Sequence, residues 1–294
     1  GDRLTVEYIE PAAVAGQGRL RIGQVTHGYR SILGDQTKAL GDSGPCNINV
    51  ICPEGDDWRD QIRSVAMIVV NGSGSCTGTL MNNCSEDGTP YFLTANHCLG
   101  GSVSNWSFLF NWDSPTCSPT TNGPETMTVS GATLLVNSAG SDMALLELSA
   151  APPASYNVYY SGWDHSGDQP TAQTGIHHPR GDIKKICHEE DDATQVAWGT
   201  PSAQCWNIPS WDSGTTEPGS SGSGLWDQNG RLIGQLYGGA ASCTFNFDDN
   251  YGRFDVSWPL LQQYLGVSCG DAIDGWDPNG TSQVPFDAGI TSIS

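Results

Sequence analysis

The chain has 294 residues and carries 32 acidic against 12 basic side chains, a formal net charge of −20 that would repel phosphate backbones and excludes nucleic-acid partners. No apolar run approaches the roughly 18 residues of a membrane helix, so no membrane partner is expected, while 37 Gly, 17 Pro and only 15% charged residues favour short strands and turns over long helices. Ten cysteines scattered between Cys46 and Cys269, without CxxC or Cys/His metal spacing, point to disulfides in an oxidising compartment and to no bound metal.

Residues 1–40 hold no cysteine but five of the twelve bases: Arg3, Arg19, Arg21, Arg30 and Lys38. Their stretches "RLTVEYIE" and "GRLRIGQV" alternate like half-buried strands, and the segment reads as an extension or pro-segment remnant packed on the main body. No signal peptide is visible at Gly1, so a secreted chain would already have lost its leader. From Cys46 onward the pattern is strand-like: "SVAMIVV" (64–70), "CTGTL" (76–80), "YFLTA" (91–95), "TMTVSGATLLV" (126–136), "MALLELS" (143–149) and "YNVYY" (156–160). "GLWDQNGRLIGQLYGG" predicts a hairpin with a type I′ turn at Asn229–Gly230, and "YGRFDVSW" a further strand. "SWPLLQQYLG" (257–266) predicts a short closing helix, capped by Ser257 and ended by Gly266. The class is all-β with one terminal helix; pattern alone leaves sandwich and barrel pair open.

Amide hydrolysis at neutral pH needs a nucleophile, a base to take its proton and a group that orients the base. His97 closes the apolar strand "YFLTAN" beside Cys98, whose disulfide would fix the backbone next to the imidazole; a lone histidine there reads first as structural. Asp142 opens "DMALLEL", as a turn cap or as an orienting acid. Ser221 lies in "PGSSGSGLW" (218–226), where small neighbours allow a sharp turn that brings two N–H groups close to a ligand oxygen. A Gly/Ser linker has the same letters, but Pro218 stiffens the entry and a hairpin follows at once.

"FLTANHC", "SDMALLEL" and "TEPGSSGSGL" together resemble the three catalytic blocks of trypsin-like serine endopeptidases. "GPCNINVICPEGDDWRDQIRSVA", "SGWD", "IHHP", "QVAWG" and "GQLYGG" are similar to the bacterial lysyl endopeptidase branch. The resemblance covers residues 41–277 and implies two six-stranded antiparallel β-barrels with a cleft between them, leaving 278–294 as a tail. It implies His97 as general base, Asp142 as orienting acid and Ser221 as nucleophile, with the N–H groups of Gly219 and Ser221 as oxyanion hole. Asp249 of "FDDNYGR" would lie at the base of the specificity pocket and select Lys, with Arg as the second choice and Asp248 in reserve; Thr216, Trp198, Tyr237 and Gly238 would also contact substrate. Cys76–Cys98, Cys52–Cys117 and Cys46–Cys243 would pair by the same resemblance. The other four have no assigned counterpart: Cys187–Cys205 is suggested by proximity, which leaves Cys84–Cys269.

Two departures stand out. The branch has a His in "GQLHGG" that stacks on the Trp of "VAWG"; here Tyr237 replaces it and can stack on Trp198. The branch's mature enzymes begin near "GDSGPC", so residues 1–40 are additional, and Arg30 or Lys38 would suit self-cleavage. Ser220, not an acid, precedes Ser221, so removal of a blocking segment is expected rather than insertion of a freed N-terminus. Elsewhere, "CHEEDDA" (187–193) reads as a solvated acidic loop, not a Ca²⁺ site, and His177–His178 as structural, because neighbours in a strand face opposite ways. Asn105 and Asn279 stand in glycan-acceptor triplets. The expected protein is a secreted, monomeric serine endopeptidase, free of cofactor, acting on proteins or peptides. The alternatives are Arg-first or Glu specificity, or an inactive protease-like binding domain.

Overall fold

The strand Tyr91–Ala95 falls where its letters predict, and its neighbours explain why it is apolar throughout. It lies in a seven-stranded antiparallel sheet of Val65–Val70, Ser73–Met81, Tyr91–Ala95, Ser107–Phe110, Thr128–Ser130, Ala132–Ser138 and Met143–Leu148. This computed structural model describes residues 40–280 except Asn71, with the isolated positions Pro11 and Gly16. The expected strands "RLTVEYIE" and "GRLRIGQV", nearly all of the 1–40 extension and most of the 278–294 tail lie outside the described residues.

The first sheet begins and ends at Thr128–Ser130 and Ala132–Ser138, which are consecutive in the chain, so it curls back on itself. One face of its strands fills the interior with Ala66, Ile68, Leu80, Phe92, Phe108, Phe110, Leu146 and Leu148. The other face sends Val65, Leu93, Met143 and Leu145 into a shared core with Ile176, Ile186, Trp226, Leu232 and Phe254 of the second half. Burial on both faces is why "VAMIVV" and "MALLEL" read as runs instead of alternating.

The second sheet has ten strands, three of them only two residues long: Ile48–Asn49, Trp163–Asp164 and Ala272–Ile273. The others are Gln173–His177, Lys185–Glu189, Thr194–Trp198, Ala203–Ser210, Gly224–Asp227, Leu232–Gly239 and Phe247–Arg253. Its own core is Cys187, Trp206, Ile208, Trp211, Leu225, Leu236 and Tyr251. The all-β class with a closing helix holds, and among the described residues the two sheets have seven and ten strands where six and six were expected. Gly131 (φ +82°) breaks "TMTVSGATLLV" into two strands, and its N–H and C=O bond to Trp106 and Ser149 at the bend.

Three further expectations change. The stretch "YNVYY" is no strand, because Asn157 turns left-handed after a short 3₁₀ helix and only Tyr160 makes a bridge, to Trp276. The Asn229–Gly230 turn is not type I′: only Gly230 has positive φ, and the Asp227 carboxylate instead accepts the N–H groups of Asn229 and Arg231. The strand of "YGRFDVSW" stops at Arg253, and the helix runs Phe254–Leu265. Ser257 therefore lies inside it and bonds to the Arg253 carbonyl and to Ser141 Oγ. Gly266 closes the helix with φ +96°.

Disulfides join Cys46–Cys243, Cys52–Cys117, Cys76–Cys98 and Cys84–Cys269. The Cys187–Cys205 expectation is wrong: both are buried free thiols. Strand alternation separates them. Trp206 and Ile208 share a core with Cys187, so Cys205 points away from it, to where the Asp142 charge pushes its thiol up in addition to the larger effect of burial.

Candidate active site

His97 occupies a 3₁₀ turn, Asn96–Cys98, directly after Tyr91–Ala95. Its Nδ1 lies 2.7 Å from Asp142 Oδ2, and its own backbone N–H donates to Asp142 Oδ1 at 2.9 Å. The carboxylate thus grips both ring and backbone, and with its acceptor oxygen at Nδ1 it selects the tautomer that keeps a proton there. The Asp142 side chain is 4% exposed and that of His97 35%, so the acid is sealed and the ring keeps an open side. Asp142 itself sits at φ +50°, with its carbonyl accepting the Asn96 N–H at 2.8 Å and its neighbour Ser141 bonded to Gln235. The Cys76–Cys98 disulfide packs within 4.8 Å of a ring nitrogen of His97, and a Cys98 Sγ stands 3.7 Å from the Ser221 carbonyl.

That carbonyl also accepts the Thr77 N–H at 2.8 Å, which joins the Ser221 turn to the first sheet. Gly222 (φ +81°) follows, and a Cβ there would collide with Thr94 Oγ1 and come 2.8 Å from Ala95 N. Only glycine lets the two halves approach this closely. Gly219 has φ +100°, and among the described residues neither its N–H nor that of Ser221 has a hydrogen-bond partner. Ser220 is buried instead, with its Oγ accepting the Glu217 N–H and exchanging a 2.7 Å hydrogen bond with His177 Nδ1. The result is a half-buried serine flanked by two free N–H groups.

The two adjacent acids, Asp248 and Asp249, have opposite surroundings. Asp248, at φ +69°, is exposed and bonds to Asn207. Asp249 is 1% exposed; its Oδ2 accepts hydrogen bonds from Thr216 Oγ1 and Trp211 Nε1, both at 2.7 Å. Burial pushes this carboxyl up, opposed in part by those two donors. A Cβ on Gly239 would strike Asp249 Oδ1, and one on Gly238 would come 3.4 Å from the Trp198 ring. Tyr237 meets Trp198 edge-on (5.0 Å, 89°), not stacked, and its other side faces the His97 ring at 5.5 Å. Its hydroxyl donates to the Pro201 carbonyl.

Residues 40–254 match the family described as lysyl endopeptidase, C-terminal domain. The chain belongs to that family. A lysyl endopeptidase of Pseudomonas aeruginosa is 32% identical over 298 aligned positions, covering 90% of this chain; the chain spans 62% of that relative's length. Among solved structures, a thermostable serine protease, AL20, from an extremophilic microorganism has a TM-score of 0.50 at 15% identity, covering 69% of this chain and 96% of its own. The HtrA-type protease AlgW, solved with a tripeptide, gives 0.50 at 14% identity, covering 72% and 63%. At such identities these two share the fold alone, which is that of trypsin-like serine proteases.

Of the residues singled out from sequence, His97 is bonded to Asp142, the Ser221 carbonyl lies against Cys98 next to His97, Tyr237 stands between the His97 and Trp198 rings, and Thr216 is bonded to Asp249; among the described residues no hydrogen bond joins the Ser221 side chain to His97. Several supports escaped the sequence reading. Trp211, Thr77, Thr94 and Gln235 are buried among polar partners, and a polar residue inside an apolar strand, as in "LIGQLYGG", is the signal that could have found Gln235. His177 and His178 are both fully buried, as expected of structural residues, but His177 touches the residue before Ser221. Burial holds His177 neutral, lowering it to about 3. The acidic loop reading of "CHEEDDA" fails for Glu189, which is 1% exposed at a strand end, with burial pushing its carboxyl up.

No helix of the described residues is long and apolar enough to cross a membrane.

Proposed function

We propose that the chain is a secreted serine endopeptidase that cleaves after basic residues, Lys first, through an acyl-enzyme. Ser221 Oγ attacks the scissile carbonyl while His97 Nε2 takes its proton. The carbonyl oxygen, now negative, receives the N–H groups of Gly219 and Ser221. His97 then passes the proton to the leaving amine, and a water deprotonated by the same nitrogen hydrolyses the ester. Asp142 stabilises the imidazolium from Nδ1, 2.7 Å away.

Specificity would come from Asp249. A substrate ammonium beside a buried carboxylate forms a charge-assisted hydrogen bond, whereas a neutral side chain leaves the carboxylate unpaired. Burial raises this carboxyl, and an arriving substrate cation acts the other way, since an opposite charge favours the ionised form. The four disulfides suit an extracellular setting.

The observation that carries this reading is the double grip of Asp142 on His97, beside a glycine turn that presents a serine and two unpaired N–H groups. Digestion of a mixed peptide pool, with cut sites read by mass spectrometry, tests it alongside fluorophosphonate labelling. Label on Ser221 and cuts after Lys or Arg are expected. Cuts after Glu or Leu would overturn the Asp249 assignment, and neither cuts nor label would favour a binding domain.

A further inference from the structure

The turn that carries Ser221 rests on residues 41–47, a segment with no catalytic letters. Glu217, 4% exposed, opens the turn. Its Oε2 accepts the Gly44 N–H at 2.7 Å and Asn47 Nδ2 at 2.8 Å, while its Oε1 accepts Arg180 Nε at 2.8 Å. The Arg180 N–H in turn donates to the Pro218 carbonyl, one residue before Gly219. A second carboxylate works in parallel. Asp182, fully buried, accepts the N–H groups of Gly41 (2.9 Å) and Ser43 (3.1 Å), and its backbone carbonyl bonds to His178 Nδ1 at 2.9 Å.

Both carboxylates therefore tie residues 41–47 to the loop His178–Asp182, and that loop is the wall behind Gly219. A Cβ on Gly219 would lie 2.9 Å from Arg180 N, 3.0 Å from Gly181 N and 3.0 Å from the His178 carbonyl. Thr77 Oγ1 completes the brace: it donates to the Gly219 carbonyl at 3.0 Å and accepts the His178 N–H at 3.1 Å. An oxyanion donor acts only when it is already aimed at the developing charge, and displacements near 1 Å cost about 10²-fold.

We propose that Glu217, seconded by Asp182, is a positioning residue that sets the Gly219 N–H through Arg180 and Pro218, with residues 41–47 as the clamp. The proposal rests on the serine endopeptidase reading. Glu217 touches neither substrate nor the reacting atoms. It collects donors from two separate segments on its two oxygens, and such charge-assisted bonds are the strong ones.

The test uses the 294-residue chain and two variants, Glu217→Gln and the milder Asn47→Ala. Three quantities are read: kcat against KM, affinity for a peptidyl aldehyde whose tetrahedral adduct needs the two N–H groups, and affinity for a simple amine that fills only the pocket. Glu217→Gln should lower kcat and aldehyde affinity together, by about 10²-fold, with KM and amine affinity within about threefold. Asn47→Ala should move the same pair of quantities the same way by a smaller factor, and it decides the matter if Glu217→Gln does not fold. Unchanged kcat and aldehyde affinity in an active background would overturn the positioning role alone. So would equal losses for aldehyde and amine, the mark of general damage. A parent chain that neither cuts peptides nor forms the adduct would overturn the endopeptidase reading, and this proposal with it.

Discussion

In the sheet spanning residues 65–148, Asp142 is the one charged side chain buried among the described residues. The half spanning residues 163–253 buries Asp182, Lys184, Lys185, Glu189, Glu217, Asp227 and Asp249, together with His177 and His178. The first half holds His97 and Asp142 in place through apolar packing on both faces of its strands. The second half holds its turn and the Asp249 carboxyl through buried polar groups that are bonded, such as Glu217 to Arg180 and Asp249 to Thr216 and Trp211. Lys184, for example, has no exposure at all and is satisfied by the Ile62 carbonyl at 2.9 Å and Asp113 at 3.1 Å. Apolar packing is tolerant of chemistry and sensitive to volume. Buried polar bonding is the reverse: a lost partner strands a group that water cannot reach. Substitutions in the first half should therefore act mainly on stability, and those in the second mainly on function, with Asp142 as the exception that tests the rule.

The largest expected effect belongs to that exception. Asp142→Asn places an amide where the carboxylate now accepts from both His97 Nδ1 and the His97 backbone, and it favours the wrong tautomer of the ring. A loss in kcat of about 10⁴-fold follows, while circular dichroism and Tm should change little. A variant that retained kcat within tenfold would remove Asp142 from the mechanism. Next comes Phe92→Ala. Phe92 is fully buried and packs edge-on against Phe108, 4.9 Å between ring centres. Its loss should destabilise by about 3–5 kcal/mol, read by denaturant titration, and leave kcat of the folded fraction nearly unaltered. A selective fall in kcat with unchanged stability would break the contrast between the halves.

Legibility from sequence divides along the same line. Tyr91–Ala95 and Met143–Leu148 were readable because their apolar letters have one use, the core. Thr194–Trp198 and Ala203–Ser210 carry mixed letters, since the first is largely exposed and the second buries the neighbours Cys205 and Trp206 on both faces; no periodicity marked them. The cysteines show what spacing lacks: Cys187 and Cys205 are close in sequence and both in strands, yet the face each one takes depends on Trp206 and Ile208 choosing the core. The triad positions came from resemblance of whole blocks, not from any single residue. Gly222 explains why such blocks are recognisable, since contact with Thr94 and Ala95 leaves no room for a side chain.

The smallest expected effect sets the pocket's function against its stability. Burial raises the Asp249 carboxyl in the folded state, so folding takes up a proton there as pH falls. A raised group stabilises the fold most below its unfolded range, near pH 4, and that contribution is lost as pH rises through the folded value. Above that range the fold holds the ionised carboxylate at a cost that an amide would not carry, and Thr216 and Trp211 can donate to either. Asp249→Asn should therefore show a higher Tm than the parent at pH 7, with the difference shrinking toward pH 4. The same change should cost about 10²-fold in kcat/KM on lysyl substrates, since a buried partner of the substrate cation is gone. Asp248→Asn, on the exposed side of the strand, should do neither. A saturating amine that fills the pocket should raise the Tm of the parent and not of Asp249→Asn, as expected when ligand binds only the folded state. If instead Asp249→Asn were less stable at neutral pH and still cut after lysine, the carboxylate would be a structural hub for Trp211 and Thr216, and the selection of basic residues would have to come from elsewhere.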